Sequence, residues 1–167
     1  MNLVQLFLEE LDREAPRTRR VLENVPRGQD DWKPHPKSMA LGRLAGLVAA
    51  MPSWVSLVID QDELDLNPPG GGQVQMPSTD TLVDVHDKHV VKGRESLRRT
   101  TEDYLEKTNW RLLVSGNIVL DQPRQVVLRD TINHWSHHRG QLTVYLRMTG
   151  QTVPAIYGPS ADDQRFL

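Results

Sequence analysis

The sequence predicts an all-α fold, a single domain over residues 1–167 built as a four-helix bundle with long crossover connections. Four stretches place apolar residues three and four positions apart, the periodicity of one helix face. Two long connections rich in proline and glycine join these stretches, which is typical of bundles whose chain crosses over between helices. The 167 residues are enough to bury one ordinary hydrophobic core.

Composition excludes several classes of protein. Apolar residues make up 38% of the chain and charged residues 25%, a balance typical of globular proteins and not of disordered ones. The formal net charge of −2 provides no basic field, so we expect no nucleic-acid partner. The chain has no cysteine, which excludes thiolate ligands and a cysteine nucleophile and fits a reducing compartment. No apolar run approaches the roughly 20 residues of a membrane span, so we expect a cytoplasmic protein without a membrane partner.

The first two helices lie in the N-terminal third of the chain. The first is expected from about Asn2 to Val25, and Pro16 could kink or divide it. After the Pro-rich stretch "VPRGQDDWKPHPK", the second helix is expected to begin with Ser38 as its N-cap and to bend at Pro52. The apolar stripes are Leu3, Val4, Leu6, Phe7, Leu8, Leu11 and Leu22 in the first helix, and Leu41, Leu44, Leu47, Val48, Met51, Val55 and Val58 in the second.

A long connection, "DQDELDLNPPGGGQVQMPS", leads to the third helix, which Ser78 or Thr79 can cap and which should end at about Thr101. Its apolar stripe is Leu82, Val83, Val90 and Leu97. The stretch "WRLLVSGNIVLDQ" lacks helical spacing and predicts a small hairpin or an irregular arm.

The fourth helix has the clearest boundaries. Asp121 can cap it, Pro123 suits its first turn, and Gly150 is placed to end it in a left-handed conformation. The tail, "QTVPAIYGPSADDQRFL", is expected to pack as an extended segment.

Three histidines crowd the segment "INHWSHHRGQL" of this fourth helix. At about 100° per residue, His134 and His138 lie about 40° apart and point toward or beside the core, whereas His137 points to another flank. A separation of four residues lets two imidazoles meet at one metal ion. Spacing alone favours a structural role for the pair, because a zinc site usually has at least three protein ligands.

A third ligand has no obvious candidate. His86 and His89 share one face of the third helix at the edges of its apolar stripe, where a solvated or partly buried structural role is expected for both. His35 lies in a Pro-rich loop, and Asp130 could orient His134 one turn away or be solvated.

Other polar and aromatic side chains surround the pair. Arg139 and Gln141 could contact an anionic substrate or a partner chain, but simple solvation is the commoner role of such residues on a helix surface. Tyr145 could offer its phenol to a pocket or belong to the core, and Trp54 and Trp135 are expected to fill the core or an interface.

The sequence resembles the DinB-like (DinB/YfiT) family in three stretches: "KSMALGRLAGLVAAMPSW", "INHWSHHRGQLTVYLRMTGQTVP" and "YGPSADD". The resemblance covers nearly the whole chain and implies a four-helix bundle that often forms a homodimer. It also implies a three-histidine site for a divalent ion such as zinc or nickel. By the same resemblance, two of those ligands correspond to His134 and His138.

The third family ligand lies on the second helix, in a stretch resembling "GRLAGHVA". This sequence reads "GRLAGLVA" there, with Leu47 in place of the expected histidine. Because leucine cannot ligate a metal and brings apolar bulk, we expect the divalent-metal site to be incomplete and binding of the ion to be weak or lost.

Three hypotheses follow, and they leave open whether the protein is an enzyme. The first is a DinB-like protein of unassigned activity with this incomplete site. The second is an active metal-dependent thiol transferase or hydrolase in which another group, such as His86, supplies the third ligand and the ion activates a thiol or water. The third is a non-enzymatic bundle that binds a small molecule or a partner.

Overall fold

The computed structural model describes residues 2–70 and 76–165, so residues 71–75 of the long connection and the chain ends lie outside the described residues. The helices are α1 (Leu3–Glu23), α2 (Leu41–Ala50), α3 (Ser53–Asp60), α4 (Leu82–Arg99), α5 (Glu102–Lys107) and α6 (Arg124–Met148), and the strands are β1 (Glu63–Asp65), β2 (Asn109–Val114) and β3 (Asn117–Pro123). The four predicted helical stretches are present. The term all-α is wrong in part, because the three strands form a small sheet.

The helices form a bundle in which α1 and the α2–α3 pair each pack against both α4 and α6. The predicted second helix is divided at Pro52 into α2 and α3, which meet at a bend of 48°. Pro16, in contrast, lies inside α1 without dividing it. Proline blocks one helical hydrogen bond in either place, so the surrounding packing decides whether the helix continues.

The start of α2 differs from the predicted Ser38 cap. The N-cap position is Ala40, which makes no side-chain cap hydrogen bond. The first N–H groups of α2 instead donate to distant backbone carbonyls: Leu41 N to Trp32 O at 2.9 Å, and Gly42 N to Asp30 O at 2.9 Å. The preceding loop therefore folds back and satisfies the helix terminus that a serine side chain was expected to satisfy.

Two other predicted caps are also wrong. The N-cap position of α4 is Thr81, preceded by a turn in which the Thr81 N–H donates to the Ser78 carbonyl. Asp121 belongs to β3 and accepts a hydrogen bond from Asn109 Nδ2 at 2.7 Å, so it cannot cap α6.

The C-terminus of α6 follows the prediction. Gly150 has a φ of 75°, and its N–H donates to the Arg147 carbonyl at 3.2 Å. Gln151 N donates to Leu146 O at 2.9 Å, which completes a Schellman motif.

The hairpin prediction is confirmed, and the hairpin carries an additional strand. Strands β2 and β3 pair antiparallel, and β1 adds to β2 in a parallel register. The Asp65 carboxylate accepts from the N–H groups of Ser115 and Gly116, which have φ angles of 52° and 78° in the turn of the hairpin. The long connection thus begins by fastening itself to the hairpin.

The centre of the bundle contains the Trp135 indole, which is 2% exposed. Its Nε1–H donates to the Val48 carbonyl at 3.0 Å and so ties α6 to α2. The ring of His86, from α4, lies 5.9 Å from the indole between ring centroids.

Within residues 2–70 and 76–165, no single helix is long and apolar enough to cross a membrane. The bent pair α2–α3 reaches that length and composition only when its two helices are taken together.

Two helical glycines should respond oppositely to substitution by alanine. A Cβ on Gly46 would lie 2.8 Å from Met76 Cβ and 3.0 Å from the Pro77 carbonyl oxygen, whereas a Cβ on Gly140 would meet nothing within 4 Å. We expect Gly46→Ala to lower the free energy of unfolding by about 1–3 kcal/mol through overpacking. Gly140→Ala should raise it by about 0.5–1 kcal/mol through helix propensity. Urea denaturation of the two variants checks both signs, and equal effects would contradict the close packing at Gly46.

Candidate metal centre

Helix α6 brings His134 and His138 together, as their spacing predicts. Their ring centroids are 4.5 Å apart, with an angle of 46° between the ring planes. His138 is buried, whereas His134 lies at the exposed rim with its ring 6.1 Å from that of Trp54. The pair therefore spans the boundary between the core and solvent.

Gln141 fixes the orientation of the His138 ring. The His138 Nδ1 and Gln141 Oε1 atoms are 2.8 Å apart. A carboxamide oxygen can only accept, so His138 Nδ1 carries the hydrogen and Nε2 of the neutral ring keeps its lone pair. This is the tautomer in which Nε2 can ligate an ion, and it is held by the kind of outer contact that orients metal-binding histidines.

The surroundings of His134 favour its neutral form. Although His134 lies at the rim, partial burial of its ring lowers its pKa, and the neighbouring rings of His138 and His137 lower it further. A metal ion competes with protons for an imidazole, so a lowered pKa helps this ring to ligate near neutral pH. His137 is itself exposed, with its ring centroid 5.1 Å from that of His138.

Leu47 lies on α2, which packs against α6. The hydrogen bond from Trp135 to the Val48 carbonyl aligns residues 47–48 of α2 with the segment that carries the histidine pair. Leu47 is partly buried, packs against the core and has no donor atom for a metal. In the part of the chain that the structure describes, no group of three or more His, Cys, Asp or Glu residues could hold a metal ion. The donor set therefore does not fit a site with three protein ligands.

His86 lies in the core, where a solvated or partly buried position was expected, whereas His89 is partly buried as predicted. His86 is 1% exposed, and its Nδ1 lies 2.9 Å from Asp87 Oδ1. Its Nε2 is buried and has no hydrogen-bond partner among the described residues. His89 is partly buried, and its Nδ1 has no hydrogen-bond partner among the described residues.

The other two candidates for a role near the pair lie elsewhere. His35 is exposed, and its Nδ1 accepts from the Lys37 N–H at 3.1 Å. Asp130 is exposed and pairs with Arg129 at 3.5 Å, so it is not engaged in orienting His134.

The commoner role assigned to Arg139, a solvated side chain, is wrong. Arg139 is 1% exposed and lies 2.5 Å from Glu14 Oε2, and Glu14 is itself 3% exposed. Its guanidinium also donates to Thr18 Oγ1 at 3.0 Å. Arg139 lies one turn after Trp135 on the buried arc of α6, so its helical position was a signal of burial.

The tyrosines have structural partners. Tyr145 donates to the Met39 carbonyl at 3.2 Å, and its ring packs edge-on against Trp32. The Tyr157 hydroxyl lies 2.5 Å from an Arg139 nitrogen and donates to Glu14 Oε2 at 2.8 Å. Tyr157 therefore joins the tail to the buried ion pair.

The motif "YGPSADD" fastens the rest of the tail. Asp162 accepts from the Val153 N–H at 2.8 Å and pairs with Arg147 on α6 at 2.7 Å. Asp163 accepts from the Ala155 N–H at 3.0 Å. These contacts give the motif a structural role that the sequence alone did not explain.

Comparisons with known proteins agree with this fold. The model of the DinB family matches residues 1–165. The uncharacterized protein YrdA of Bacillus subtilis (strain 168) is 25% identical over 159 residues, which cover 94% of this chain and 89% of that protein. A crystal structure of a DinB-like protein from Bacillus cereus ATCC 10987 is similar, with a TM-score of 0.67 and 27% identity over 90% of this chain and 95% of that one. The DinB-like protein YjoA of Bacillus subtilis shares the fold, with a TM-score of 0.65 and 19% identity over 96% and 99% of the two chains.

Protonation of His86 should destabilise the fold. Burial lowers the pKa of His86 below its ordinary value of 6.5, although Asp87 opposes the shift. The unfolded chain therefore binds a proton more readily, so the free energy of unfolding should fall as the pH drops below about 6.5. A single titrating group can change the free energy of unfolding by at most about 1.4 kcal/mol per pH unit.

We expect His86→Phe to flatten this pH dependence between about pH 7 and pH 5, measured by urea denaturation. The variant His35→Gln removes an exposed histidine and should keep the slope of the parent protein. An unchanged slope in His86→Phe would contradict the assignment, whatever the absolute stability of the variant.

Proposed function

Because the chain belongs to the DinB family, we propose that it is a bundle protein of that family whose incomplete divalent-metal site binds an ion such as zinc or nickel weakly. The observation that carries the proposal is the pair His134 and His138 on α6, with ring centroids 4.5 Å apart, while the neighbouring helix α2 has Leu47 at the position where the family resemblance implies a third imidazole.

The chemistry of the donors supports weak binding instead of none. His138 is held in the tautomer that leaves Nε2 free, and the pKa of His134 is lowered by burial and by its neighbouring rings. Two neutral imidazoles at this spacing can share one ion. A catalytic zinc ion usually has three protein ligands, so such a pair is expected to lose the ion readily.

The apolar side chain of Leu47 is a second reason to expect weak metal binding. A leucine supplies apolar surface where the ligand of a complete site would supply a nitrogen. Placing a hydrated divalent ion beside that surface costs free energy, because water bound to the ion loses hydrogen-bonding partners on that side. In this proposal Leu47 therefore weakens metal binding in two ways: it removes one metal–nitrogen bond, and it places an apolar surface beside the hydrated ion.

His86 gives little support to an active enzyme with a substitute ligand. Its ring packs against the Trp135 indole in the core, and its Nδ1 is engaged with Asp87. Neither contact favours movement of His86 toward the rim where His134 lies. We therefore assign no reaction to the histidine pair.

Restoring the missing ligand should restore the site. We expect the parent protein, purified without added metal, to hold substoichiometric zinc or nickel, and Leu47→His to hold one tightly bound ion per chain. A third imidazole completes the number of protein ligands that zinc sites need. Elemental analysis and calorimetric titration with Zn²⁺ measure the content and the affinity.

Two control variants test whether the metal gained by Leu47→His is bound at the histidine pair. Leu57→His adds a histidine at another partly buried leucine, on α3, and should gain nothing. The double variant Leu47→His/His138→Ala should lose the gained ion. A stoichiometric ion in the parent protein, or equal affinity in the parent and Leu47→His, would overturn the proposal and place the third ligand elsewhere.

The contact between Gln141 and His138 should matter once the site is complete. In the Leu47→His background, Gln141→Leu removes the acceptor that holds His138 Nδ1 and should weaken Zn²⁺ binding by about 10–100-fold. Gln5→Leu, at an exposed position on α1, is the matched control and should leave the affinity unchanged. Unchanged affinity in the Gln141 variant would show that the ring is oriented by other contacts.

A further inference from the structure

Helix α6 and the loop before α2 border a cleft beside the histidine pair. Its volume is about 380 Å³, and it is open to solvent along Gln141 and Val144, which are both exposed. The apolar part of its lining comes from Pro34, Met39, Val144 and Tyr145. Leu47 and His134 do not line it, so the cleft adjoins the histidine pair without coinciding with it.

Few polar side chains line the cleft, and none of them belongs to an acidic residue, a lysine or an arginine. They are those of Ser38, Gln141 and His138. Gln141 uses its Oε1 on His138, so its NH₂ group and the Ser38 hydroxyl remain without a partner among the described residues. His138 Nε2 likewise makes no hydrogen bond within the described part of the chain.

The Gln141 NH₂ group and the Ser38 hydroxyl as donors, and His138 Nε2 as acceptor, determine which ligands could hydrogen-bond in the cleft. A charged ligand would give up part of its hydration against the apolar lining and would meet no Asp, Glu, Lys or Arg there, so a neutral ligand is favoured. A planar apolar body could pack against the tyrosine, proline and methionine side chains. A carbonyl or amide group could hydrogen-bond to the free NH₂ of Gln141 or the hydroxyl of Ser38.

We propose that this cleft binds a neutral small molecule with a flat apolar body and one carbonyl or amide head group. The inference goes beyond the weak metal site, because every contact that it uses is made without an ion. Its test is therefore carried out in excess EDTA, where the outcome of the metal proposal has no effect.

The test compares three probes of similar shape and different charge. Benzamide is neutral, benzoate is an anion and benzylamine is a cation near pH 7.5. Titrations followed by ¹H–¹⁵N correlation spectra should show saturable shifts of the Gln141 side-chain amide with benzamide, and at least fivefold weaker binding of the two charged probes.

A charge placed in the cleft should reverse this preference. Val144 and Met148 are both 56% exposed and one turn apart on α6, but only Val144 lines the cleft. We expect Val144→Glu to weaken benzamide binding at least tenfold and to strengthen benzylamine binding. Met148→Glu adds the same charge outside the lining and should leave benzamide binding within about twofold of the parent.

Each other result counts against the inference. Tighter binding of benzoate or benzylamine to the parent protein would assign the cleft to a charged ligand. No saturable shift with benzamide, or equal loss in the two glutamate variants, would show that no such site exists. Gain of metal by Leu47→His would be untouched by any of these outcomes.

Discussion

The hydrogen bond from the Trp135 indole to the Val48 carbonyl sets the position of α6 against α2, and the candidate site depends on that position. The indole is almost completely buried, so its N–H without a partner would cost about 1–3 kcal/mol. A fixed acceptor on α2 therefore fixes the relative height of the two helices. The same bond places the Leu47 segment beside the histidine segment, while His86 packs on the indole in the core.

Two buried arginines hold the rest of α6. Arg124 at its start donates to the carbonyls of Val58 and Gln61 at the end of α3, and Arg139 pairs with Glu14 on α1. Breaking such a buried pair by removing one partner commonly costs about 3–5 kcal/mol, because a charge is left unpaired. The helix that carries the histidines is thus fastened by charged contacts on both sides of the pair. The pair is presented on a rigid element, which suits any ligand that needs defined geometry.

The features that local sequence determines were predictable, and those that depend on distant groups were not. Long apolar periodicity located the bundle helices, and glycine chemistry located the end of α6 at Gly150. The Ser38 cap failed because carbonyls of Asp30 and Trp32 satisfy α2 through a folded loop. Strand β1, only three residues long, leaves no pattern to recognise. In the site, spacing found His134 and His138, but burial of Arg139 was missed although its position on the helix signalled it.

His138 connects the two proposals made for this region, the weak metal site and the cleft for a neutral ligand. Its Nδ1–H is committed to Gln141, so a single atom, Nε2, remains for every other partner. An ion held between His134 and His138 would occupy that lone pair, and a ligand head group in the cleft could not then bond to the same atom. With a third imidazole on α2, the ion would hold Nε2 firmly. Under the proposed function, Leu47 leaves the ion weakly held, and Nε2 would then be open to water or to a neutral ligand. A single residue on α2 would in this way decide which partner reaches an atom on α6.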